Sequence, residues 1–129
     1  MSIFQKIIDG DVPAYRIYED DTVLAFLDIH PATPGHILVI PKKAAEFVWD
    51  LTDETYQALM SVTKKLALHL REQLPQQYVH MSIVGTDVPH AHVHLIPFDT
   101  TADFHNPERM DAEPDHQALA AMQKKLRLT

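Results

Sequence analysis

The chain has 129 residues, the length of one ordinary domain. It has no cysteine, which excludes a disulfide scaffold, a thiolate metal site and a cysteine nucleophile. It has 11 Lys and Arg residues and 18 Asp and Glu residues, so the formal net charge at pH 7 is −7. Because nucleic acids and anionic membranes attract dense positive charge, we expect neither to be a partner.

The N-terminal segment is not typical of a signal peptide, because Lys6 and Asp9 interrupt its short apolar runs. No window approaches the roughly 18 consecutive apolar residues that indicate a membrane-spanning helix. We therefore expect a cytoplasmic protein.

The first forty residues predict one short helix followed by three strands. The helix is expected over residues 4–9, ended by Gly10. The strands are expected over residues 15–19, 22–29 and 36–40. The second of them is mostly apolar, which is typical of a strand buried on both faces.

A long amphipathic helix dominates the middle of the sequence. It begins after the predicted N-cap Thr52, and its apolar residues recur at spacings of three and four. Two further strands are predicted over residues 78–84 and 91–96, then a loop over 98–113 and a helix over 115–128. This order indicates an α+β fold, with a mainly antiparallel five-stranded sheet and a long helix packed on one face.

Three histidines alternate with apolar residues before Pro97. Side chains at alternate positions of a strand share a face, and the histidines of this row are His90, His92 and His94. The outer two Cα atoms would be about 13 Å apart, at about 3.3 Å per residue. Hydrogen-bond donors then flank the middle imidazole on both sides.

Such a row suits attack on phosphorus. An imidazole with an ordinary pKa of about 6.5 is mostly a neutral nucleophile near pH 7. A neighbouring imidazole can donate to phosphate oxygens or protonate the leaving group. Two alternatives stay open: purely structural histidines, and a metal site. Same-face strand positions lie about 6.6 Å apart, so three on one strand converge poorly on one ion.

The sequence resembles the histidine triad (HIT) superfamily of nucleotide hydrolases and transferases, and in its N-terminal half the nucleoside phosphoramidase branch. The triad motif, HAHVHLI over residues 90–96, carries the resemblance together with residues 2–43. The similar stretches cover residues 2–98, and the part from 105 to 129 has no clear counterpart. The resemblance thus implies a HIT-like domain over residues 1–104 and a C-terminal extension with a helix over 105–129.

The resemblance implies a two-step reaction. His92 attacks the α-phosphorus of a nucleotide, usually an AMP unit, and water then cleaves the covalent nucleotidyl-histidine. His94 contacts the α-phosphate and assists the leaving group, while His90 supports the site. His36 orients the nucleophile.

The resemblance also implies a nucleotide pocket. Asp28 would accept hydrogen bonds from the ribose hydroxyls. Apolar residues would hold the base, namely Phe4, Ile7, Phe26, Leu27 and Ile29. An AMP-containing purine nucleotide is then the expected substrate, and a homodimer the expected assembly.

The chain departs from the family at two places. Where zinc-bearing relatives have ligands, it has Ser2, Gln5 and Ala44, so we expect no structural zinc and no other cofactor. In the loop before the triad, Thr86 replaces a glutamine, and Asp87 replaces a small hydroxyl residue that donates to the phosphate. An ionised Asp87 would repel a phosphate, so it either turns away or binds a leaving-group amine.

Three other activities stay open at this stage. A dinucleoside polyphosphate hydrolase would use the same nucleophile with another leaving group. The altered loop at Thr86 and Asp87 suggests a non-catalytic nucleotide-binding module. A metal-dependent hydrolase would lose its activity to a chelator.

Overall fold

A computed structural model describes residues 2–105 and 112–129. Its strands are β1 (Arg16–Glu19), β2 (Val23–Leu27), β3 (Ile37–Pro41), β4 (Tyr78–Ser82) and β5 (Val93–Phe98). Its α-helices are α1 (Ile3–Ile8), α2 (Asp53–Gln73) and α3 (His116–Leu126). Residues 106–111 of the predicted loop lie outside the described residues.

The strands form one antiparallel sheet in the order β1-β2-β3-β5-β4. The predicted α+β fold is confirmed. Because β5 lies between β3 and β4, His94 is held from both sides: its Cα pairs with Leu38 on one strand and with Ser82 on the other. The last histidine of the row is therefore fixed in the interior of the sheet.

The two faces of the sheet bury different apolar sets. One core holds Val93 and Leu95 of β5 with Leu66 and Leu70 of α2. On the opposite face, α1 packs Phe4 and Ile7 against alternate residues of β2 and β3, which are Leu24, Phe26, Leu38 and Ile40. The long helix thus covers one face, as predicted, and the short N-terminal helix covers the other.

The helix predicted in the C-terminal extension is present as α3. Leu119 and Leu126 are buried in the same core as α2. The backbone N–H of Leu128 donates to the carbonyl of Ile17, which ties the end of the chain to β1. This extension therefore contributes to the main core.

The boundary predicted for the last strand was wrong. β5 begins at Val93 rather than at residue 91. The preceding backbone pairs with loops: the N–H of Ala91 donates to the carbonyl of Ala45, and that of His90 to Val88. Two of the three histidines thus lie just before the strand, where the backbone is free of the ladder.

We predict that Gly35→Ala destabilises the protein more than Gly10→Ala. Both glycines have positive φ, +95° and +83°, so a side chain costs about 1–2 kcal/mol at each. At Gly35 the added Cβ would also lie 2.6 Å from Leu74 Cδ1, and such overpacking costs about 1–3 kcal/mol more. At Gly10 nothing lies within 4 Å. Urea unfolding checks the order, and equal losses would contradict the packing described here.

Candidate active site

The three triad histidines lie on the α1 face of the sheet. All three are buried, and so is His36. The ring centroid of Phe4 lies 5.1 Å from that of His92 and 6.1 Å from that of His90. The alternating residues Ala91, Val93 and Leu95 fill the opposite core. The side chains therefore alternate as predicted, even before the strand begins.

One hydrogen bond fixes the tautomer of His92. Its Nδ1 lies 2.7 Å from the carbonyl oxygen of His90. A carbonyl only accepts, so Nδ1 carries the hydrogen and donates it. In the neutral ring, Nε2 then holds the lone pair and is the nucleophilic atom.

A second chain of hydrogen bonds fixes the tautomers of His36 and His94. The N–H of Ala32 donates to His36 Nδ1 over 3.0 Å. His36 therefore carries its hydrogen on Nε2, which lies 3.0 Å from His94 Nδ1 and donates to it. His94 in turn presents an Nε2–H group on the side where its Nε2 lies 3.7 Å from Asp87. A donor thus stands near His92 Nε2, because Asp87 Oδ2 lies 3.2 Å from that atom and 3.7 Å from His94 Nε2.

His90 is held neutral by its surroundings. Its Nε2–H donates to the carbonyl of Pro41 over 2.8 Å. Burial lowers the pKa of His90, and the charge of His92 lowers it further, against the opposing effect of the Pro41 hydrogen bond. The backbone carbonyl of His90 also accepts a hydrogen bond from His92 Nδ1. The supporting role of His90 stays a prediction.

Asp87 faces His92. Its Oδ1 lies 3.0 Å from His92 Nε2 and its Oδ2 3.2 Å from the same atom. Burial raises the pKa of the Asp87 carboxyl, but the charge and hydrogen bond of His92, aided by His94, hold it below its usual range. The carboxylate therefore points toward His92 rather than turning away from the site.

Asp28 lies beside His36. Its Oδ1 accepts a hydrogen bond from the N–H of His30 over 2.9 Å, and its Oδ2 is 3.6 Å from His36 Nε2. A carboxylate here is half-buried and fixed by the backbone. Its role toward a ribose stays a prediction.

The residues predicted for the base pocket divide into three groups. Phe4, Ile7 and Phe26 pack together, and the two phenylalanine rings meet edge to face with centroids 5.6 Å apart. Leu27 is buried in the opposite core, because neighbouring residues of a strand point to opposite faces. Ile29 is exposed beyond the end of β2. Thr86, a separate candidate in the loop before the triad, is exposed as well.

Sequence reasoning missed a small cavity beside His92. Its volume is about 60 Å³, and its lining includes Glu46, Phe47, Trp49, Val84 and Gly85. These residues come from two loops that are far apart in the chain. Nothing in their local spacing predicts that they meet.

Two groups of described residues bring three metal-ligating atoms within 4.8 Å: Asp28, His36 and His94, and Asp87, His92 and His94. The tautomers do not suit an ion. The N–H of Ala32 donates to the lone pair of His36 Nδ1, so the hydrogen of His36 is on Nε2. That hydrogen is donated to His94 Nδ1, so the hydrogen of His94 is also on Nε2, and neither Nε2 atom has a lone pair for a metal ion.

The positions of the relatives' zinc ligands do not fit a metal either. Ser2 Oγ accepts from the N–H of Gln5 and caps α1, while Gln5 Nε2 donates to Asp9. Both side chains thus serve the helix.

Comparison with known proteins agrees with this site. The HIT domain family matches residues 9–101. The chain belongs to the HIT family. Protein hit of Bacillus subtilis is 41% identical over 100 residues, which are 74% of this chain and 69% of that protein. An adenosine 5′-monophosphoramidase of Schizosaccharomyces pombe is 37% identical over 99 residues, 74% of this chain and 72% of that enzyme.

Solved structures of the family share the fold. A Hit-like protein from Bartonella henselae has a TM-score of 0.84 at 31% identity, over 98% of this chain and 94% of that one. A zinc-bound histidine triad family protein from Mycobacterium smegmatis has a TM-score of 0.74 at 32% identity, over 96% and 94%. This chain is thus of the nucleotide-binding hydrolase or transferase type. Across residues 2–105 and 112–129, no helix combines the length and apolar content needed to cross a bilayer.

We predict that nitrogen-15 NMR of the histidine rings finds the hydrogen of neutral His92 on Nδ1 and that of His94 on Nε2. The reason is that a carbonyl accepts from His92, and the Ala32–His36 chain donates to His94. A hydrogen on Nδ1 of His94 would contradict this series of hydrogen bonds and would leave Nε2 of His94 able to bind a metal ion.

We predict that His90 titrates below the ordinary histidine pKa of about 6.5. His90 then takes up a proton near pH 6.5 in the unfolded chain but only at lower pH in the folded protein. His90 should therefore contribute fully to the free energy of unfolding above that pH. This contribution should be lost as the pH falls toward the pKa of His90 in the folded protein. The C2 proton of His90, followed by NMR, checks this, and a midpoint at or above 6.5 would be inconsistent with it.

Proposed function

We propose that the protein cleaves a nucleoside 5′-monophosphate, AMP in the first instance, from a leaving group joined to its α-phosphate. The observation that carries the proposal is the pair formed by His92 Nε2, which holds a lone pair, and His94 Nε2–H, which is a donor beside it. A buried imidazole with its other nitrogen bound to a backbone carbonyl is a positioned nucleophile.

In the proposed reaction, His92 Nε2 forms a bond to the α-phosphorus while the bond to the leaving group breaks. His94 Nε2–H donates to a phosphate oxygen and offsets the charge that builds there, and it assists the departure of the leaving group. Water then attacks the nucleotidyl-histidine, releases the monophosphate and restores the lone pair on His92. His36 holds His94 in the tautomer that this requires.

Two features support a nucleoside as the other part of the substrate: the position of Asp28 and the apolar cluster of Phe4, Ile7 and Phe26. A carboxylate suits a ribose diol, and an apolar slot suits a flat base. The resemblance to the phosphoramidase of Schizosaccharomyces pombe supports AMP as the nucleotide. Dinucleoside polyphosphates are the alternative substrates with the same nucleophile.

A homodimer formed through the β4 edge is also part of the proposal. β4 is an edge strand of the sheet, and Tyr78 and Met81 on it are 53% and 50% exposed. Leu68 of α2 is exposed as well. Unpaired backbone groups and apolar side chains at an edge suit pairing with a second copy. The cytoplasmic location stays a prediction of the sequence.

We predict that the wild-type protein releases AMP from an AMP phosphoramidate and that His92→Ala loses at least about a thousandfold in kcat, because the nucleophile is gone. His105→Ala removes an exposed histidine outside the triad and should leave the rate unchanged. Chromatographic quantification of AMP over time is the measurement. Equal slow release by wild type and His92→Ala would refute the assignment. Stabilisation by AMP without any turnover would instead support a binding module.

A further inference from the structure

The carboxylate of Asp87 lies on the line along which His92 attacks. Its Oδ2 lies 3.2 Å from His92 Nε2 in a hydrogen-bonding direction, which in the neutral ring is the direction of that atom's lone pair. The nucleophile approaches phosphorus along the same direction. A substrate phosphorus must therefore enter between Nε2 and the carboxylate.

The contact between Asp87 and His92 has to open before attack. Nδ1 of His92 donates to the carbonyl of His90, so the contact with the carboxylate is attractive only while a proton lies on Nε2. The Asp87 side chain is 45% exposed, and its loop, residues 83–92, is outside helices and strands. Retreat of this side chain toward solvent leaves it on the far side of the entering phosphorus.

In an in-line displacement, that far side is where the leaving group departs. Resting on the proposed function, we infer that Asp87 selects the leaving group: it favours amines, released from nucleoside phosphoramidates, over anionic groups released from polyphosphates. As the P–N bond breaks, its electron pair stays on nitrogen. The nitrogen then takes two protons from solvent, the first giving the neutral amine and the second the ammonium cation. As a P–O–P bond breaks, the departing phosphate gains negative charge.

The cavity beside His92 agrees with a cationic leaving group. Glu46 places a carboxylate in its lining, and among the described residues that line it there is no lysine or arginine. Trp49, which is 75% exposed, and Phe47 offer aromatic faces to an ammonium group and to its apolar stem. A polyphosphate chain that reached this cavity would meet the like charge of Glu46.

The test compares two substrates with the same AMP half. One joins AMP to a simple primary amine through a P–N bond, and the other is diadenosine triphosphate. The measured quantity is the ratio of their kcat/KM values, phosphoramidate over polyphosphate. Asp87→Asn keeps the shape of the side chain and removes its charge, so the ratio should fall about tenfold or more. Asp87→Ser, which cannot ionise either, should lower the ratio in the same direction.

Asp21→Asn is the matched control, because it removes one exposed carboxylate in the turn between β1 and β2. Its ratio should equal that of the wild type. An unchanged ratio in Asp87→Asn, or an equal change for both substrates, would overturn the role of Asp87 and leave the proposed function intact. Failure of the wild type to release AMP from either substrate would overturn the proposed function, and this inference with it.

Discussion

The hydrogen bond from His92 Nδ1 to the carbonyl of His90 is the interaction on which the chemistry of the site depends. It decides which nitrogen of the buried ring holds the lone pair. A similar backbone contact fixes the tautomer of His94 through an intervening ring: the N–H of Ala32 donates to His36, and His36 donates to His94. Backbone groups cannot change tautomer, so they give neighbouring imidazoles opposite roles: one presents a lone pair and the next presents a hydrogen. Ring stacking or burial alone would leave these roles undetermined.

The sheet supplies the positions that make these contacts possible. Because side chains alternate, Ala91 and Val93 are anchored in the α2 core while the histidines between them face α1. β3 pairs with β5 and brings His36 next to His94. The start of β5 at Val93 leaves the backbone before it outside the ladder, where the carbonyl of His90 is available to His92. The site therefore depends on the irregular entry to the strand as much as on the strand itself.

Much of the fold could be predicted because its signals are local. The alternation of the histidines and the Thr52 cap of α2 depend on residues close in sequence, and both were predicted. The prediction that Leu27 and Phe26 share one pocket was inconsistent with strand geometry, because neighbouring residues of a strand point to opposite faces. Leu27 lies in the α2 core and Phe26 on the α1 face. The orientation of Asp87 and the cavity with Phe47 could not be predicted, because they depend on how two loops meet. The tautomers depend on backbone partners that have no signature in the sequence.

Trapping the covalent intermediate tests the central claim most directly. A substrate labelled at its α-phosphate is mixed with the protein, the reaction is stopped with alkali during turnover, and the labelled peptide is mapped. Label on His92, bound through nitrogen and absent from His92→Ala, is the result that the account predicts. Turnover without any label on the protein, or label on His94, would contradict it.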